Sequence, residues 1–263
     1  MDNRSDNIRG ALLMSACMAG FVLNDATVKQ TADSLSLFQV MLLRGMFATL
    51  FIGLLAWHQK VLFVRLSATD WKYLLLRTAG EVGGTLCFLT ALFNMPIANA
   101  TAILQALPLV ITLGAAIFLK QAVGWRRYAA VLTGFVGVLI IVRPGAEGFT
   151  VYAYWAIAAV LFVTLRDLVT VRLSTHAPSL FIAFVAAISI TLVGAILSPT
   201  VAWRPVHSAD LMLLAAAAAF LMFGYLFAIM AMRVGEIAFV SPFRYDILLR
   251  AIVLGIVIYD EIP

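Results

Sequence analysis

The sequence predicts an all-α membrane protein that crosses the bilayer many times. Hydrophobic residues make up 63% of the 263 residues and charged residues only 12%, and the mean hydropathy is +1.03, far above the range of soluble globular domains. Continuous apolar segments of about 18 to 22 residues, the length of a helix that crosses hydrocarbon, recur along the chain. Because these segments do not alternate between apolar and polar residues, a β-barrel is not expected.

Nine such segments are predicted as transmembrane helices, joined by connections too short to hold a soluble domain. The first follows Arg4 and Arg9 but lacks a small-residue cleavage site, which indicates a retained membrane anchor and not a signal peptide. Cys17 and Cys87 both fall inside apolar segments, so no disulfide framework is expected. The nine segments cover residues 10–28, 36–57, 71–93, 97–119, 125–142, 151–170, 180–197, 210–232 and 237–259.

The distribution of lysine and arginine predicts the orientation, since positive loops stay in the cytoplasm. With the N-terminus in the cytoplasm, the outer side carries only three basic residues, Lys29, Arg143 and Arg204. The cytoplasmic side carries ten, namely Arg4, Arg9, Lys60, Arg65, Lys72, Lys120, Arg126, Arg127, Arg172 and Arg233. The bias predicts a multi-pass protein of the inner (plasma) membrane. It also accounts for the net charge of +5, so no basic stripe is left over for nucleic acid.

A turn-rich linker, residues 143–150, divides the chain into a first unit at 10–142, with five predicted helices, and a second at 151–263, with four. Shifting the sequence by 140 residues aligns Asp70 with Asp210 and Gly84 with Gly224. Transporters often consist of two repeats in opposite orientation. We therefore expect two inverted five-helix repeats, that is, nine helices present of ten, with the fifth helix of the second repeat missing because the chain ends at Pro263.

Three stretches resemble the EamA-type drug/metabolite transporters: FQVMLLRGMFATL with Arg44, ALFNMPIANATAILQALPLVITLGAAIFL, and the closing VLGIVIYDEIP. The resemblance covers essentially the whole chain. It implies ten helices in two inverted repeats, both termini in the cytoplasm, and small organic cargo. The opening GALLMSACMAGFVLNDATVKQ is most similar to bacterial importers of riboflavin or S-adenosylmethionine. The chain departs from the family in Phe-Leu-Lys-Gln at 118–121, where Gly-Glu is usual, and in the missing last helix.

The ninth predicted segment carries Arg244, Asp246 and Arg250 close behind Pro242. Each charge at a helix centre costs about 2.5 to 3.5 kcal/mol, so the three residues need partners or a watery cavity. Asp246 and Arg250 are four residues apart and can pair on one helical face, whereas Arg244 points elsewhere. They form either structural pairs between helices or a substrate-facing cluster for an anionic or zwitterionic group.

Glu81 and Arg77 repeat this four-residue spacing on the third segment, but Arg77 lies only about five residues into it and can instead extend to the cytoplasmic interface. Gly80 and Gly84 form a GxxxG pattern on the same segment, which favours close helix packing. Glu81 is either a paired structural carboxylate or a proton-carrying one, because burial raises the pKa of a carboxyl group. Arg44, with no acid within one helical turn, needs a partner from another helix. It is either an anchor to carbonyls or to a carboxylate such as Glu81, or part of the binding site.

Four further residues are candidates for substrate binding or coupling. Asp25, beside Asn24 at the outer end of the first segment, is either an interfacial cap or a gate. Gln105 lies near Pro108, which can kink its helix, and the 140-residue shift matches it with Tyr245 near the membrane midplane. Trp155 is a pocket candidate, although the aromatic belt explains most tryptophans. We expect Arg166 and Asp167 to form an interfacial pair.

These observations predict a secondary active transporter that moves a small organic metabolite or drug by alternating access within the lipid bilayer. The alternative is a non-transporting helical scaffold or an intramembrane enzyme, but no cluster of nucleophile and base supports an enzyme. No cofactor and no metal are expected, because the chain lacks a Walker motif and its three histidines are far apart. A homodimer is compatible with the sequence.

Overall fold

The computed structural model describes residues 3–118, 129, 133, 136, 150–170, 172–174, 176–234, 243 and 245–260, and within these ranges the regular structure is helical. The helices, numbered here in chain order, are α1 Asn3–Gln30, α2 Leu37–His58, α3 Ala68–Asn94, α4 Ile97–Leu104, α5 Leu107–Phe118, α6 Val151–Thr170, α7 Ser179–Leu197, α8 Ser208–Val234 and α9 Asp246–Tyr259. A short 3₁₀ turn, Ser198–Thr200, follows α7.

Six stretches of the described chain are long and apolar enough to cross a membrane: Asp6–Gln30, Leu37–His58, Ile97–Phe118, Val151–Thr170, Ser179–Thr200 and Ser208–Phe227. The prediction of nine transmembrane helices in two inverted five-helix repeats is therefore wrong. The all-α, multi-pass part of the prediction is confirmed. The predicted linker 143–150 and the fifth predicted segment lie almost entirely outside the described residues.

Two more predicted segments, 71–93 and 237–259, are not among the six candidate spans, and each has a physical reason. Helix α3 is long enough, with 27 residues, but Lys72, Arg77 and Glu81 make it too polar to qualify by composition. Helix α9 has 14 residues, which at 1.5 Å per residue is about 21 Å, short of a hydrocarbon core of roughly 30 Å. Of the predicted segment 237–259, the structure describes α9 from Asp246 onward, and residues 237–242 and 244 lie outside the described residues.

Serine residues fix the starts of α2 and α3. Ser36 and Gln39 form a capping box in which each side chain binds the other residue's backbone N–H. Ser67 accepts a hydrogen bond from the backbone N–H of Asp70. Such caps satisfy N–H groups that a helix leaves unpaired at its first turn. Each helix therefore begins at the residue after its capping serine.

The helices pack as close pairs that join the first part of the chain to the second: α1 with α8, α2 with α7, and α3 with α6. Glycines permit this approach. A Cβ atom at Gly80 would lie 2.9 Å from the carbonyl oxygen of Phe162, and one at Gly20 would lie 3.0 Å from that of Phe220. The close packing predicted from Gly80 and Gly84 is confirmed, since α6 approaches at both positions.

Two buried aspartates bind loops far away in the sequence. Asp70, in the first turn of α3, accepts hydrogen bonds from the backbone N–H and hydroxyl of Ser174, at 3.0 and 3.1 Å. Asp210, in the first turn of α8, accepts one from the hydroxyl of Ser34 at 2.7 Å. The 140-residue shift that aligned Asp70 with Asp210 also aligns Ser34 with Ser174. The two contacts thus fasten opposite parts of the chain by the same chemistry.

Candidate functional site

Asp246 and Arg250 form the predicted ion pair at the start of α9. Arg250 donates from Nε and Nη2 to Oδ2 of Asp246, at 3.0 and 2.8 Å. The hydroxyl of Ser15 on α1 accepts from Arg250 Nη2 at 2.8 Å and donates to Asp246. Arg250 also lines a cleft of about 280 Å³ whose other walls are apolar residues of α1 and α9. The pair therefore joins α9 to α1 at the edge of an open cleft.

Three other predicted site residues take no part in this ion pair. Arg244 lies outside the described residues. Tyr245 precedes α9 and is 46% exposed. Trp155 on α6 is 44% exposed and lines neither the cleft nor the central cavity described below.

Gln105 lies where the fourth predicted helix breaks. Helix α4 ends at Leu104 and α5 begins at Leu107, because Pro108 lacks the N–H that would bind the carbonyl of Leu104. The predicted interruption near Pro108 is thus confirmed. Gln105 Nε2 is buried and makes no hydrogen bond within the described chain, and the same holds for the hydroxyl of Thr101 one turn earlier. This face of α4 offers polar groups without internal partners.

Glu81 is the centre of a buried ion-pair network between α3 and α6. Its Oε1 lies 3.1 Å from Arg166 Nη1, and its Oε2 lies 3.2 Å from Arg77 Nη2. Arg166 also pairs with Asp167 at 2.7 Å, and Arg77 donates to the hydroxyl of Thr170 at 3.1 Å. Arg77 and Glu81 thus form the pair that their four-residue spacing allows. Arg166 and Asp167 do pair, but Arg166 also reaches inward to Glu81 on the neighbouring helix.

Arg44 on α2 is 8% exposed and makes one hydrogen bond, from Nη1 to Oδ1 of Asn24 at 3.3 Å. Asn24 in turn donates from Nδ2 to Oδ1 of Asp25 at 2.9 Å. The sequence predicted a partner on another helix, and the partner is the Asn24 amide of α1. Glu81, the carboxylate suggested as partner, instead binds the two arginines named above.

A central cavity of about 40 Å³ lies beside Arg44, Glu81 and Tyr225. Its remaining walls come mainly from small and apolar residues of α2, α7 and α8, including Gly45, Ala48, Ala183, Ala186 and Ala187. The volume suits about one ordered water molecule. The structure thus brings Arg44 and Glu81 to one small cavity with mainly apolar walls, which Asn24 and Asp25 do not line. Arg250 lines the separate cleft.

Three side chains of these sites were not predicted as site residues. Ser15 carried no signal, because a lone serine in an apolar helix is common. Tyr225 follows Gly224, whose Cα lies 3.2 Å from a Cβ built at Gly20. The glycine was the available sequence signal, because it indicated that two helices pack closely beside Tyr225. Arg166 was placed at the interface because it stands near a helix end. In the part of the chain that the structure describes, no group of three or more His, Cys, Asp or Glu side chains could hold a metal ion.

Comparison with known proteins agrees with this architecture. The EamA-like transporter family matches residues 8–143, just over half of the chain. A riboflavin transporter of Vibrio cholerae is 26% identical over 260 residues, which cover 97% of this chain and 87% of that protein. An S-adenosylmethionine uptake transporter of Rickettsia conorii is 27% identical over 175 residues, or 64% of this chain and 57% of that protein. A pseudopaline exporter of Pseudomonas aeruginosa is 26% identical over 186 residues, or 70% and 64%.

The family match extends over α1 to α5, which contribute Arg44, Glu81 and Asn24 to the central cavity and its surroundings. The Vibrio relative extends the likeness over nearly all of the chain. The multi-pass helical structure, the buried charges and these matches agree, and the chain belongs to the EamA-like transporter family.

Proposed function

We propose that this protein is a secondary active transporter that moves a small organic metabolite across the inner membrane by alternating access. The observation that carries the proposal is the pair of buried charges at the central cavity, where Arg44 and Glu81, each 8% exposed, lie between the helices beside Tyr225. Charges inside a membrane protein are costly, and they typically mark the path of a substrate or an ion.

The size of the cavity supports alternating access. A space of about 40 Å³ is far too small for a metabolite, so cargo enters only after the surrounding helices separate. Small residues on α2 and α7, Gly45, Ala48, Ala183, Ala186 and Ala187, form much of the wall beside Ile52 and Ile190, so few bulky side chains oppose such movement.

The cargo and the direction of transport are proposed from the relatives. The relatives reported above are named a riboflavin transporter, an S-adenosylmethionine uptake transporter and a pseudopaline exporter; we propose import of a riboflavin-like or S-adenosylmethionine-like metabolite, as in the second of these names. We place the site at Arg44, Glu81, Asp25 and Gln105. Asp246, Arg250 and the adjacent Tyr245 belong to a second region that changes partners during transport, and Arg244 and Trp155 remain predicted site residues.

Counterflow in proteoliposomes tests the proposal. The purified protein is reconstituted into vesicles, and entry of labelled riboflavin, S-adenosylmethionine or amino acids is measured with and without the same unlabelled compound inside. We expect saturable entry that is faster when the inner compartment holds unlabelled cargo. The reason is that a site loaded with unlabelled cargo returns to the outer side faster than an empty site does. Entry that never saturates, or that unlabelled cargo inside does not accelerate, would contradict alternating access.

The proposed orientation has a separate test. Cys17 and Cys87 are buried, so a maleimide should react with a newly introduced exposed cysteine in preference to these two. Asp33→Cys, between α1 and α2, should react with a membrane-impermeant maleimide in intact cells. Arg65→Cys, between α2 and α3, should react only after the membrane is opened. The reverse pattern would place the N-terminus outside.

A further inference from the structure

One apolar cluster closes the end of the helix bundle at which α1 is connected to α2. Its buried residues come from that connection and from α1, α2, α3, α4 and α8, and residues of α9 pack against it. We call this cluster the seal; it consists of Ala26, Val28, Leu35, Val40, Met41, Leu89, Leu92, Ile97, Leu214 and Ala217, each at most 3% exposed. In the proposed orientation the seal lies on the outer side of the membrane. A path from that side to the centre of the bundle requires some of these helices to separate.

On one side of the seal, hydrogen bonds join the glycine-packed pairs α1–α8 and α2–α7. Ser34, in the connection between α1 and α2, donates to Asp210 of α8 at 2.7 Å. Gln39 of α2 exchanges two hydrogen bonds with the backbone of Arg204, at 2.8 and 3.2 Å. Arg204 Nη1 donates to the carbonyl oxygen of Asp33 at 2.9 Å. Four hydrogen bonds therefore oppose separation on this side.

On the other side, Lys29 and Tyr259 join α1 to the turn between α3 and α4 and to the end of α9. Nζ of Lys29, in the last turn of α1, donates to the carbonyl oxygen of Met95 at 2.7 Å. It also lies 5.3 Å from the centre of the Tyr259 ring, within the range of a cation–π contact. The hydroxyl of Tyr259 donates to the carbonyl oxygen of Ala26, a member of the seal. We call Lys29, Met95 and Tyr259 the latch.

The contacts of the latch can be exchanged for contacts with water. Lys29 and Tyr259 are both partly exposed. A lysine ammonium group is strongly hydrated, and a hydrogen bond to protein that is replaced by one to water changes the free energy little. In the α1–α8 pair, by contrast, a Cβ atom at Gly20 would lie 3.0 Å from a backbone oxygen, so separation would lose many dispersion contacts. The bundle end therefore separates most readily between α1 and the side formed by α4 and α9.

Polar groups on α4 indicate where such an opening leads. Ile97 belongs to the seal, and Thr101 and Gln105 follow on the same face of α4 at intervals of four residues, each about 6 Å deeper than the last. The Thr101 hydroxyl and Gln105 Nε2 are buried, and neither has a hydrogen-bond partner in the part of the chain that the structure describes. Separation of α4 from α1 would bring water to both groups and remove the cost of leaving them unpaired.

We propose that Lys29, Met95 and Tyr259 form the outer gate of the transporter. While the latch is intact, the seal is closed. When the latch is released, α4 and α9 move away from α1, and the polar face of α4 becomes accessible from the outer side. This inference rests on the proposed function and names the contacts that control access to the bundle. Lys29 and Tyr259 act as positioning residues, because they set the balance between the closed and the open outer side.

Labelling of a cysteine inside the seal tests the inference. Ile97→Cys is introduced into a chain with Cys17→Ala and Cys87→Ala, so that the reporter is the only thiol. Ile97 is 0% exposed, and the reporter should react slowly while the latch is intact. Its rate of reaction with a membrane-impermeant maleimide is measured from the side on which Asp33→Cys reacts, which makes the result independent of the proposed orientation.

Two variants release the latch to different extents. Lys29→Met keeps the length of the side chain but removes the charge and the donor groups. It should speed labelling of Ile97→Cys about tenfold, because a hydrogen bond from a charged donor is lost. Tyr259→Phe keeps the ring beneath Lys29 and removes the hydroxyl group. It should speed labelling about threefold, the effect of one hydrogen bond between neutral groups.

Two controls distinguish release of the latch from a general loosening of the fold. Lys72→Met makes the same change at an exposed lysine of α3 and should leave the labelling rate unchanged. Leu74→Cys is a second reporter, also at a position that is 0% exposed, near the opposite end of α3 from the seal. A variant that only destabilises the protein would speed labelling of both reporters, whereas release of the latch should act on Ile97→Cys alone.

Unchanged labelling of Ile97→Cys in both latch variants would overturn the inference, and so would an equal increase at the two reporters. Counterflow by the wild type tests the proposed function separately. Counterflow together with labelling that ignores the latch would leave the transporter intact and remove this gate. Selective labelling without counterflow would support the latch and refute the transporter.

Discussion

Replacing Glu81 by glutamine tests whether the buried network holds α3 against α6. The side chain of Glu81 is 10% exposed and contacts Arg77 and Arg166, which are 12% and 22% exposed. Glutamine keeps the size but removes the negative charge. The network of two arginines, Glu81 and Asp167 then changes from neutral to a net charge of +1 within the packed interface.

The structure allows the size of the effect to be estimated. Removing one partner of a buried ion pair costs about 3 to 5 kcal/mol, because a charge is left without compensation. Arg166 keeps Asp167 at 2.7 Å, so we expect the lower end, about 3 kcal/mol. The double variant Glu81→Gln/Arg77→Gln is neutral again. It should recover about 1 to 2 kcal/mol relative to the sum of the single effects, a usual size for contacting residues.

The measurement is the free energy of unfolding in mixed micelles, from the loss of helical circular dichroism as sodium dodecyl sulfate is added to dodecyl maltoside. Asp167→Asn is the matched control: it makes the same acid-to-amide change in the same network, but its side chain is 36% exposed, so the loss should be about 1 kcal/mol or less. A loss below about 0.5 kcal/mol for Glu81→Gln, or strict additivity in the double variant, would show that the network does not stabilise the interface.

Three further predictions use the same preparations. Gly80→Val places side-chain carbon 2.9 Å from a carbonyl oxygen of α6 and should lower the unfolding free energy by about 1 to 3 kcal/mol; unchanged stability would mean that α3 and α6 are not in close contact. The backbone N–H of Ser174 lowers the pKa of Asp70, so the carboxylate stabilises the fold above the ordinary carboxyl pKa of about 3.9, and this contribution is lost as the pH falls further. Asp70→Asn should therefore flatten the decline in stability between about pH 5 and pH 3. An unaltered pH profile would count against the contact. Asp246→Asn leaves Arg250 partly solvated and should cost about 1 kcal/mol or less in stability while abolishing counterflow; normal transport would remove the pair from the proposed machinery.

Apolar segment length predicted most helices of the described chain with good boundaries. The predicted segment 151–170 matches the helix Val151–Thr170. The predicted segment 180–197 starts one residue later than the helix Ser179–Leu197 and ends at the same residue. Such segments are predictable because a chain in lipid must satisfy its backbone hydrogen bonds within each helix, whatever its neighbours are. The same rule failed at α3, where Glu81, which pairs with Arg166 of another helix, and neighbouring charged residues interrupt the apolar pattern; the described part of α9 is too short to test it.

The candidate site divides in the same way. Pairs within one helix, Arg77 with Glu81 and Asp246 with Arg250, follow from a spacing of four residues and were predicted. Contacts between helices depend on the rotation and depth of both, which one sequence does not determine. The partners of Arg44 and of Glu81 on other helices were therefore missed, although the need of Arg44 for a partner on another helix was correctly anticipated.

The strength of the contacts indicates where the molecule can open. Within the pair α2–α7, a Cβ at Gly194 would lie 2.6 Å from the backbone nitrogen of Leu42, and α1–α8 and α3–α6 are as tightly packed around glycines. Between α1 and α2, by contrast, the polar connection at the cavity is one hydrogen bond of 3.3 Å from Arg44 to Asn24. Closely packed pairs resist separation because they would lose many dispersion contacts at once, whereas one hydrogen bond to a neutral amide is replaced at little cost by a better ligand. If the protein works by alternating access as proposed, the glycine-packed helix pairs should move as units, and the contact between Arg44 and Asn24 should break first. Binding of cargo at Arg44 and opening of the cavity would then be the same event.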